Sequence, residues 1–207
     1  MSGASRITAA LLVSFFFAFI WSAVKPHDYF TWFLEVAPAL AGIAILSATY
    51  RRFKFTTLVY VLIWFHAVIL VIGGHYTYAE VPLFNWLRDA LNLSRNHYDR
   101  VGHFAQGFVP AIISREILLR TSPLKRGKWL FFLVVCVCLA FSAFYEFIEW
   151  WVALATGTAS SAFLGTQGDI WDTQWDMFLA MCGAIISQLI LGRTHDKALE
   201  RMSAGKE

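Results

Sequence analysis

Residues 55–74 form the stretch FTTLVYVLIWFHAVILVIGG, and this stretch decides the fold class. It contains no Asp, Glu, Lys or Arg, and His66 is its sole histidine. A bilayer core about 30 Å thick needs about 20 predominantly apolar residues in helical form. The stretch has that length and composition, so it predicts a transmembrane helix.

The composition of the whole chain carries the same signal. Of its 207 residues, 58% are hydrophobic and only 15% are charged, whereas soluble domains average about 25% charged residues. The surplus of apolar side chains must therefore face lipid. We predict an all-α, polytopic membrane protein that forms one integral membrane domain over residues 1–207. Its six predicted transmembrane helices lie at residues 7–24, 29–50, 55–74, 101–119, 129–155 and 170–192.

A more polar stretch, residues 75–100, separates the third and fourth predicted spans. One apolar helix face, with spacings of three and four residues, is formed there by Leu83, Trp86, Leu87 and Ala90. This pattern is typical of a helix that is apolar on one side only. We expect a short amphipathic helix that lies on the membrane interface.

The positive charges alternate between the two sides that six spans create. One side receives twelve of the seventeen Lys and Arg residues and the other receives four, while Arg115 lies near a helix end. Cytoplasmic segments carry the excess of Lys and Arg, so we predict that both termini are cytoplasmic. This distribution explains the net charge of +3. We expect membrane lipids as partners and no nucleic acid.

Carboxylates and imidazoles recur at one depth, the outer end of the predicted spans. Within one span they are separated by three, four or seven residues, so each set projects from a single helix face. We expect the sets from different spans to converge on a shared pocket. These outer residues are Glu35, His75, Asp99, His103, Glu146, Glu149, Asp169, Asp172 and Asp176.

Such a cluster needs a compensating charge. A carboxylate in the middle of a membrane helix costs roughly 2.5–3.5 kcal/mol, and like charges that pack together repel one another. The acids outnumber the two nearby strong bases, Arg95 and Arg100. A divalent cation would balance them: mixed carboxylate and imidazole ligands suit Zn, Mn or Fe, and fewer imidazoles suit Mg or Ca. Helix capping is an alternative for Asp169 and Asp172.

The pattern favours a metal-dependent enzyme that acts on a lipid or lipid-linked substrate from the outer half of the bilayer. The neutral segment 157–168 is expected to cover its site. Two alternatives are a proton-coupled or ion-coupled transporter that uses the acids as a relay, and an accessory membrane subunit. We predict metal ligands at His75, Asp99, His103, Asp172 and Asp176, catalytic acid–base residues at Glu146 and Glu149, and substrate-binding residues at Arg95 and Arg100.

Four stretches carry distinctive motifs: HYTYAEVP (75–82), YDRVGHF (98–104), FYEFIEW (144–150) and GDIWDTQWD (168–176). With the segment 52–119 they resemble the YjdF family of bacterial inner-membrane proteins over nearly the whole chain. The resemblance implies a multi-pass protein of the bacterial cytoplasmic membrane and no particular activity, because that family is uncharacterised. A fainter similarity is to VanZ-like membrane proteins, from which the chain departs at Glu149 and Asp176, where an amide is usual.

Overall fold

The computed structural model describes residues 3–157, 161–164 and 166–205. Over these residues the chain is helical, with one 3-10 turn at Tyr78–Glu80 and no β-strand. The helices are α1 (Gly3–Ala23), α2 (Tyr29–Thr49), α3 (Thr57–Tyr76), α4 (Pro82–Ala90), α5 (Tyr98–Thr121), α6 (Lys128–Thr156), α7 (Ser161–Leu164) and α8 (Asp172–Ser203).

Five of the described helices, α1, α2, α3, α6 and α8, are long and apolar enough to cross a membrane. At a rise of 1.5 Å per residue, the 20 residues of α3 span about 30 Å, the thickness of a bilayer core. The chain is therefore a multi-pass membrane protein. α5 covers the fourth predicted span with 24 residues, but its polar side chains keep it out of that group of five.

α8 is longer than the predicted span at 170–192, because it continues through polar sequence to Ser203. Arg126 pairs with two acids of this extension, with N–O distances of 3.1 Å to Asp196 and 3.2 Å to Glu200. The prediction ended at Gly192 because the apolar run ends there. Apolar length reports the part of a helix that can lie in lipid, not the residue at which its backbone hydrogen bonds stop.

α5 lies at the centre of the bundle, where it packs against α8, α6 and α3, and α1 and α2 also pack against α3. The contact between α5 and α8 is close because glycines line it. A Cβ atom at Gly107 would collide with the Ala180 carbonyl, and one at Gly183 would collide with the Phe104 carbonyl. Small residues allow such close approach of membrane helices.

The segment between α3 and α5 is held against the end of the bundle where α5 begins. The Tyr78 ring fills the space over Gly73 and Gly102, so a side chain at either glycine would overlap it. α4 forms where an amphipathic helix is predicted, and its Leu83 and Trp86 are 61% and 63% exposed. We name this end of the bundle, which holds Asp99 and Asp172, the acidic end; the end at which α5 stops is the basic end.

Candidate functional site

The first turn of α5 is fixed in place by two side-chain amides. The buried Asn96 donates to the Val81 carbonyl and to Asn85 Oδ1, and its own Oδ1 accepts from the Tyr98 N–H. Gln167, from the segment before α8, accepts from the Asn96 N–H at 2.9 Å and donates to the Asn96 carbonyl at 2.9 Å. The segment before α8 is thereby joined to the start of α5.

Arg95 and Arg100 link the same two segments through ion pairs. Arg95 is 4% exposed; it donates to Asp172 and lies 3.3 Å from Asp99 and 3.7 Å from Asp169. Arg100 donates to Asp169 at 2.9 Å and stacks over the Trp175 ring. The structure thus pairs the two predicted substrate-binding arginines with carboxylates, and it pairs Asp172 with Arg95.

The charge of these arginines extends to His97, which precedes α5. Partial burial, followed by the Arg100 and Arg95 guanidinium groups, lowers the pKa of His97. A histidine with a lowered pKa is neutral at physiological pH. His97 therefore adds no positive charge to that of Arg95 and Arg100, which pair with the acids of the cluster.

His103 is the centre of the acidic cluster, and its two ring nitrogens face different partners. Nε2 lies 3.4 Å from Asp99 Oδ1 and 3.8 Å from Asp176 Oδ2. Nδ1 lies 2.9 Å from Gln106 Oε1 and 3.9 Å from Glu146 Oε1. Side chains from three helices, α5, α6 and α8, thus surround a single imidazole.

Two sets of three ligand atoms, each within 4.8 Å of one another, share this imidazole among the described residues: Asp99, His103 and Asp176, and His103, Glu146 and Glu149. Ligands about 2.1 Å from a tetrahedral ion lie about 3.4 Å apart. The Nε2 distances to Asp99 and Asp176 are close to that value, and nitrogen with carboxylate oxygen suits Zn, Mn or Fe. The first set is therefore the better candidate ligand set.

Two carboxylate oxygens in the cluster lack a hydrogen-bond partner among the described residues. Asp176 Oδ1 and Glu146 Oε1 are buried and accept no hydrogen bond from any residue that the structure describes. A buried polar atom without a partner costs free energy, and an anionic one costs more. Both carboxylates lie beside the His103 ring, Asp176 on the Nε2 side and Glu146 on the Nδ1 side.

A polar cavity of about 80 Å³ lies beside the cluster. Glu35 of α2 is 5% exposed and lines the cavity with Asp99, His103 and Glu149. The sequence groups Glu35 with the outer residues expected to converge, and the structure places it beside the cluster. Other lining residues that the sequence did not single out are Tyr78, Gln106, Tyr145 and Phe163. Gln106 was detectable, since it lies one turn from His103.

Two predicted ligands lie outside both candidate ligand sets: Asp172, which pairs with Arg95, and His75. The Nδ1 atom of His75 lies 3.0 Å from the Ser22 carbonyl, and its ring stacks on Trp21 of α1. Neither ligand set includes it. The remaining predicted residues, Asp99, His103, Glu146, Glu149 and Asp176, are brought together.

The segment 157–168 falls partly outside the described residues. Its described part reaches the acidic cluster in two places: Phe163 lines the polar cavity, and the Thr166 carbonyl accepts from Arg95 at 3.3 Å. With the Gln167 contacts to Asn96, these positions lie beside the cluster, as expected for a segment that covers it.

A second polar network, which the sequence did not reveal, lies at the basic end. Glu116 and His195 are fully buried, and Glu116 accepts from His195 Nε2, the Thr56 N–H and hydroxyl, and Arg120. Arg115 donates to His195 Nδ1 at 2.8 Å. Because arginine can only donate, Nδ1 carries no proton and His195 is neutral. Glu116 and Arg120 form an ion pair one helix turn apart on α5, and the buried partners of Glu116 make the network a fixed joint between α5 and α8.

Comparisons with known proteins agree with the architecture. The model of a family described as predicted membrane protein (DUF2238) matches residues 7–197. The inner membrane protein YjdF of Escherichia coli strain K12 is 50% identical over 182 residues, which cover 88% of this chain and 87% of the relative. No solved structure matches. The chain therefore belongs to the YjdF family of membrane proteins.

Proposed function

We propose that the chain crosses the bacterial inner membrane six times, with α5 as the fourth span and both termini in the cytoplasm. The support is the distribution of Lys and Arg, the 24-residue length of α5 and the inner-membrane name of its relative. The acidic end then faces the periplasm and the basic end the cytoplasm. In this arrangement α4 lies on the periplasmic interface with Leu83 and Trp86 toward lipid.

The polar residues of α5 are compatible with a membrane span because they point inward. Asp99, His103, Arg115 and Glu116 are each at most 7% exposed, so the lipid would meet the apolar side of the helix. Ionisable residues in membrane spans face the bundle interior and mark functional sites. The inward-facing polar residues that form the site also lower the mean hydropathy of α5.

We further propose that the acidic cluster binds a divalent transition metal and catalyses hydrolysis or transfer on a lipid or lipid-linked substrate. One observation carries the proposal: Asp99 and Asp176 lie within ligand distance of one imidazole nitrogen, and Asp176 keeps a buried oxygen without a partner among the described residues. A cation at this point would satisfy all three side chains.

The other polar residues take supporting roles around that centre. Gln106 Oε1 accepts a hydrogen bond from the Nδ1–H group of His103. This tautomer leaves Nε2, which faces Asp99 and Asp176, to bind the metal. Arg95 orients Asp99 and Asp172. A bound metal would supply a polarised water as nucleophile. Glu146 and Glu149 are the carboxylates of the cluster that this ligand set leaves uncoordinated, and we assign the general-base role to them.

Metal analysis of the purified protein tests this proposal. We expect about one equivalent of transition metal in the wild type and in the His27→Ala variant, which alters an exposed histidine near the acidic end. His103→Ala and Asp176→Asn should lose it. Asp176→Asn removes a charge that Asp99 and Glu146 repel, so its Tm in chelator should not fall below that of the wild type. Metal-free wild type, or full retention in His103→Ala, would contradict the proposal.

A proton-coupled transporter is the second candidate, and the buried network at the basic end favours it. Polar residues lie near both ends of the α5–α8 pair, as a relay across the membrane requires. However, the thirteen positions from His103 to Glu116 span about 20 Å of α5, and the close glycine contact lies between them. Proton flux into proteoliposomes that stops in Glu146→Gln, but not in Glu200→Gln, would place this function first.

A further inference from the structure

An apolar groove of about 450 Å³ runs between α2 and α5. Both helices pack against α3, but over the described residues they make little contact with each other. The floor of the groove is formed by α3 residues such as Ile63, Ala67 and Leu70, and its walls include Gly42 of α2 and Ile117 of α5. Because these helices present apolar surface to the bilayer, the groove opens toward hydrocarbon rather than water.

The groove adjoins the polar cavity of the candidate site. Pro38, His66 and Leu70 line both spaces. On one side of these three residues the lining is almost wholly apolar, and on the other it holds Glu35, Asp99 and the ring of His103. The shared wall is the place where a molecule with one apolar and one polar end would change its surroundings.

Volume alone does not single out this groove. A second groove of about 450 Å³ lies between α1 and α2. Its lining residues include none of those that line the polar cavity. Among the larger spaces of the described structure, the groove between α2 and α5 is therefore the one that shares lining residues with the polar cavity beside the acidic cluster.

The dimensions fit one hydrocarbon chain. From Pro38 to Thr49 the groove follows α2 for about 17 Å, and from Val109 to Thr121 it follows α5 for about 18 Å. Half of a bilayer core is about 15 Å thick. The polar cavity, at about 80 Å³, is several times smaller than the groove. It suits a small polar linkage, such as an ester or a hydroxyl group.

We propose that the groove between α2 and α5 binds the hydrocarbon chain of a membrane lipid, and that the small polar linkage at the head of this chain, of ester type, occupies the cavity beside His103. The lipid reaches the site sideways from the bilayer. Its polar linkage lies at the level of Glu35, six residues or about 9 Å inside the start of α2. The role of the cavity rests on the proposed function, whereas chain binding in the groove does not.

Gly42 offers a direct way to close the groove. A Cβ atom at Gly42 meets no other atom within 4 Å, so a larger side chain there extends into open space, and replacing a helical glycine does not weaken the helix. Gly192 of α8 is a matched control, since a Cβ atom there also meets nothing within 4 Å and the groove lies elsewhere. Gly42→Trp blocks the chain; Gly42→Leu blocks it in part.

The experiment uses a monoacylglycerol with a diazirine at the end of its acyl chain. Purified protein in detergent is irradiated with an equimolar amount of this probe, and the labelled peptides are mapped by mass spectrometry. We expect label in residues 38–49 and 109–121. If the indole of Gly42→Trp displaces two methylene groups of the probe's acyl chain from the groove, affinity and labelling should fall about tenfold. Labelling should fall less in Gly42→Leu and should not fall in Gly192→Trp.

Two outcomes would overturn the inference. They are label spread evenly over all lipid-facing helices, and label in the groove that is unchanged in both Gly42 variants. Parallel labelling of chelator-treated protein separates the two proposals. Groove labelling that persists without metal supports the chain site even if the metal proposal fails, and a bound metal with no groove labelling removes the chain site alone.

Discussion

At the scale of single residues, the tautomer of His103 decides what the cluster can bind. The 2.9 Å contact with Gln106 Oε1 requires a proton on Nδ1. Nε2 faces two carboxylates, so it must carry either a second proton or a bound cation to interact favourably with them. A bare lone pair on Nε2 would be repelled by the carboxylate oxygens, whereas a cation would bind all three groups.

Gln106→Leu tests this orienting role. The substitution removes the acceptor for Nδ1 and leaves the proposed ligands in place. Loss of such an outer partner typically weakens metal affinity about 10–100-fold, and titration against a chelating dye measures it. Gln188→Leu is the control, since Gln188 donates to the Phe131 and Ala184 carbonyls far from the cluster. Equal affinity in both variants would show that Gln106 does not orient His103.

Asp28 gives the stability a pH dependence that is independent of the cluster. Its carboxylate accepts from the Thr31 N–H at 2.6 Å and caps α2, and this hydrogen bond lowers the pKa of Asp28 below its ordinary value. A lowered carboxylate pKa stabilises the fold above the unfolded value, near 4, and this contribution is lost as the pH falls through the folded value.

We therefore expect Asp28→Ala to cost about 1 kcal/mol at neutral pH, and the difference from wild type to be smaller near pH 3, which lies below the unfolded pKa. Thermal melts at both pH values measure it. Asp89→Ala alters an exposed acid that does not cap a helix, and it should change little at either pH. A cost for Asp28→Ala that is the same at pH 7 and near pH 3 would exclude the capping carboxylate as its cause.

From the sequence we could predict how deep a site residue lies in the membrane and which face of its helix carries it. We could not predict which neighbouring helix that face meets. Asp99, His103, Glu146, Glu149 and Asp176 each share a helix face with another polar residue, and the structure brings them together. His75 was wrongly grouped with them by depth alone, because depth does not specify which neighbour a helix faces. Its ring meets α1 instead. The pairing of Asp172 with Arg95 could not be predicted either, since it depends on the path of the chain before α8.

At the scale of the helices, the contact between α5 and α8 positions the cluster. Asp99 and His103 lie on one of these helices, Asp172 and Asp176 on the other. Their separation is set by Gly107 and Gly183, where backbone meets backbone. Hydropathy predicted the more apolar helices well, but it is a poor guide to α5 because the polar residues of this helix are satisfied by protein rather than by water.

Gly183→Val should force the two helices apart. Its Cβ atom would overlap the Phe104 carbonyl and the Phe108 amide nitrogen, which are backbone atoms that cannot turn away. We expect a loss of about 2–3 kcal/mol, seen as a lower Tm, together with loss of bound metal. Gly192→Val, nine residues further along α8, has open space at its Cβ and should melt like the wild type. Equal Tm values for the two variants would contradict the close contact.

At the scale of the whole molecule, the two ends of the bundle differ in chemistry. The acidic end has buried carboxylates in excess of bases and oxygens without partners. At the basic end Glu116 has four donors around it. A network that is fully satisfied fixes a structure, and one that is not leaves affinity for a ligand. The asymmetry follows from positions spread over most of the chain, so no single stretch of sequence predicts it.

The number of spans can be settled by asking on which side of the membrane two positions lie. If α5 crosses the bilayer, residue 89 before it and residue 125 after it are on opposite sides; if α5 does not cross, they are on the same side. Cys136, Cys138 and Cys182 are first replaced by Ala, and Asp89→Cys or Lys125→Cys is then introduced. Six spans with cytoplasmic termini predict that a membrane-impermeant maleimide labels Asp89→Cys in intact spheroplasts, and labels Lys125→Cys only after permeabilisation.

Both positions are at the surface near helix ends, so failure to label after permeabilisation is not expected for either. Labelling of both cysteines in intact spheroplasts would make α5 a helix that enters the membrane without crossing it, and it would place the basic network on the same side as the acidic cluster.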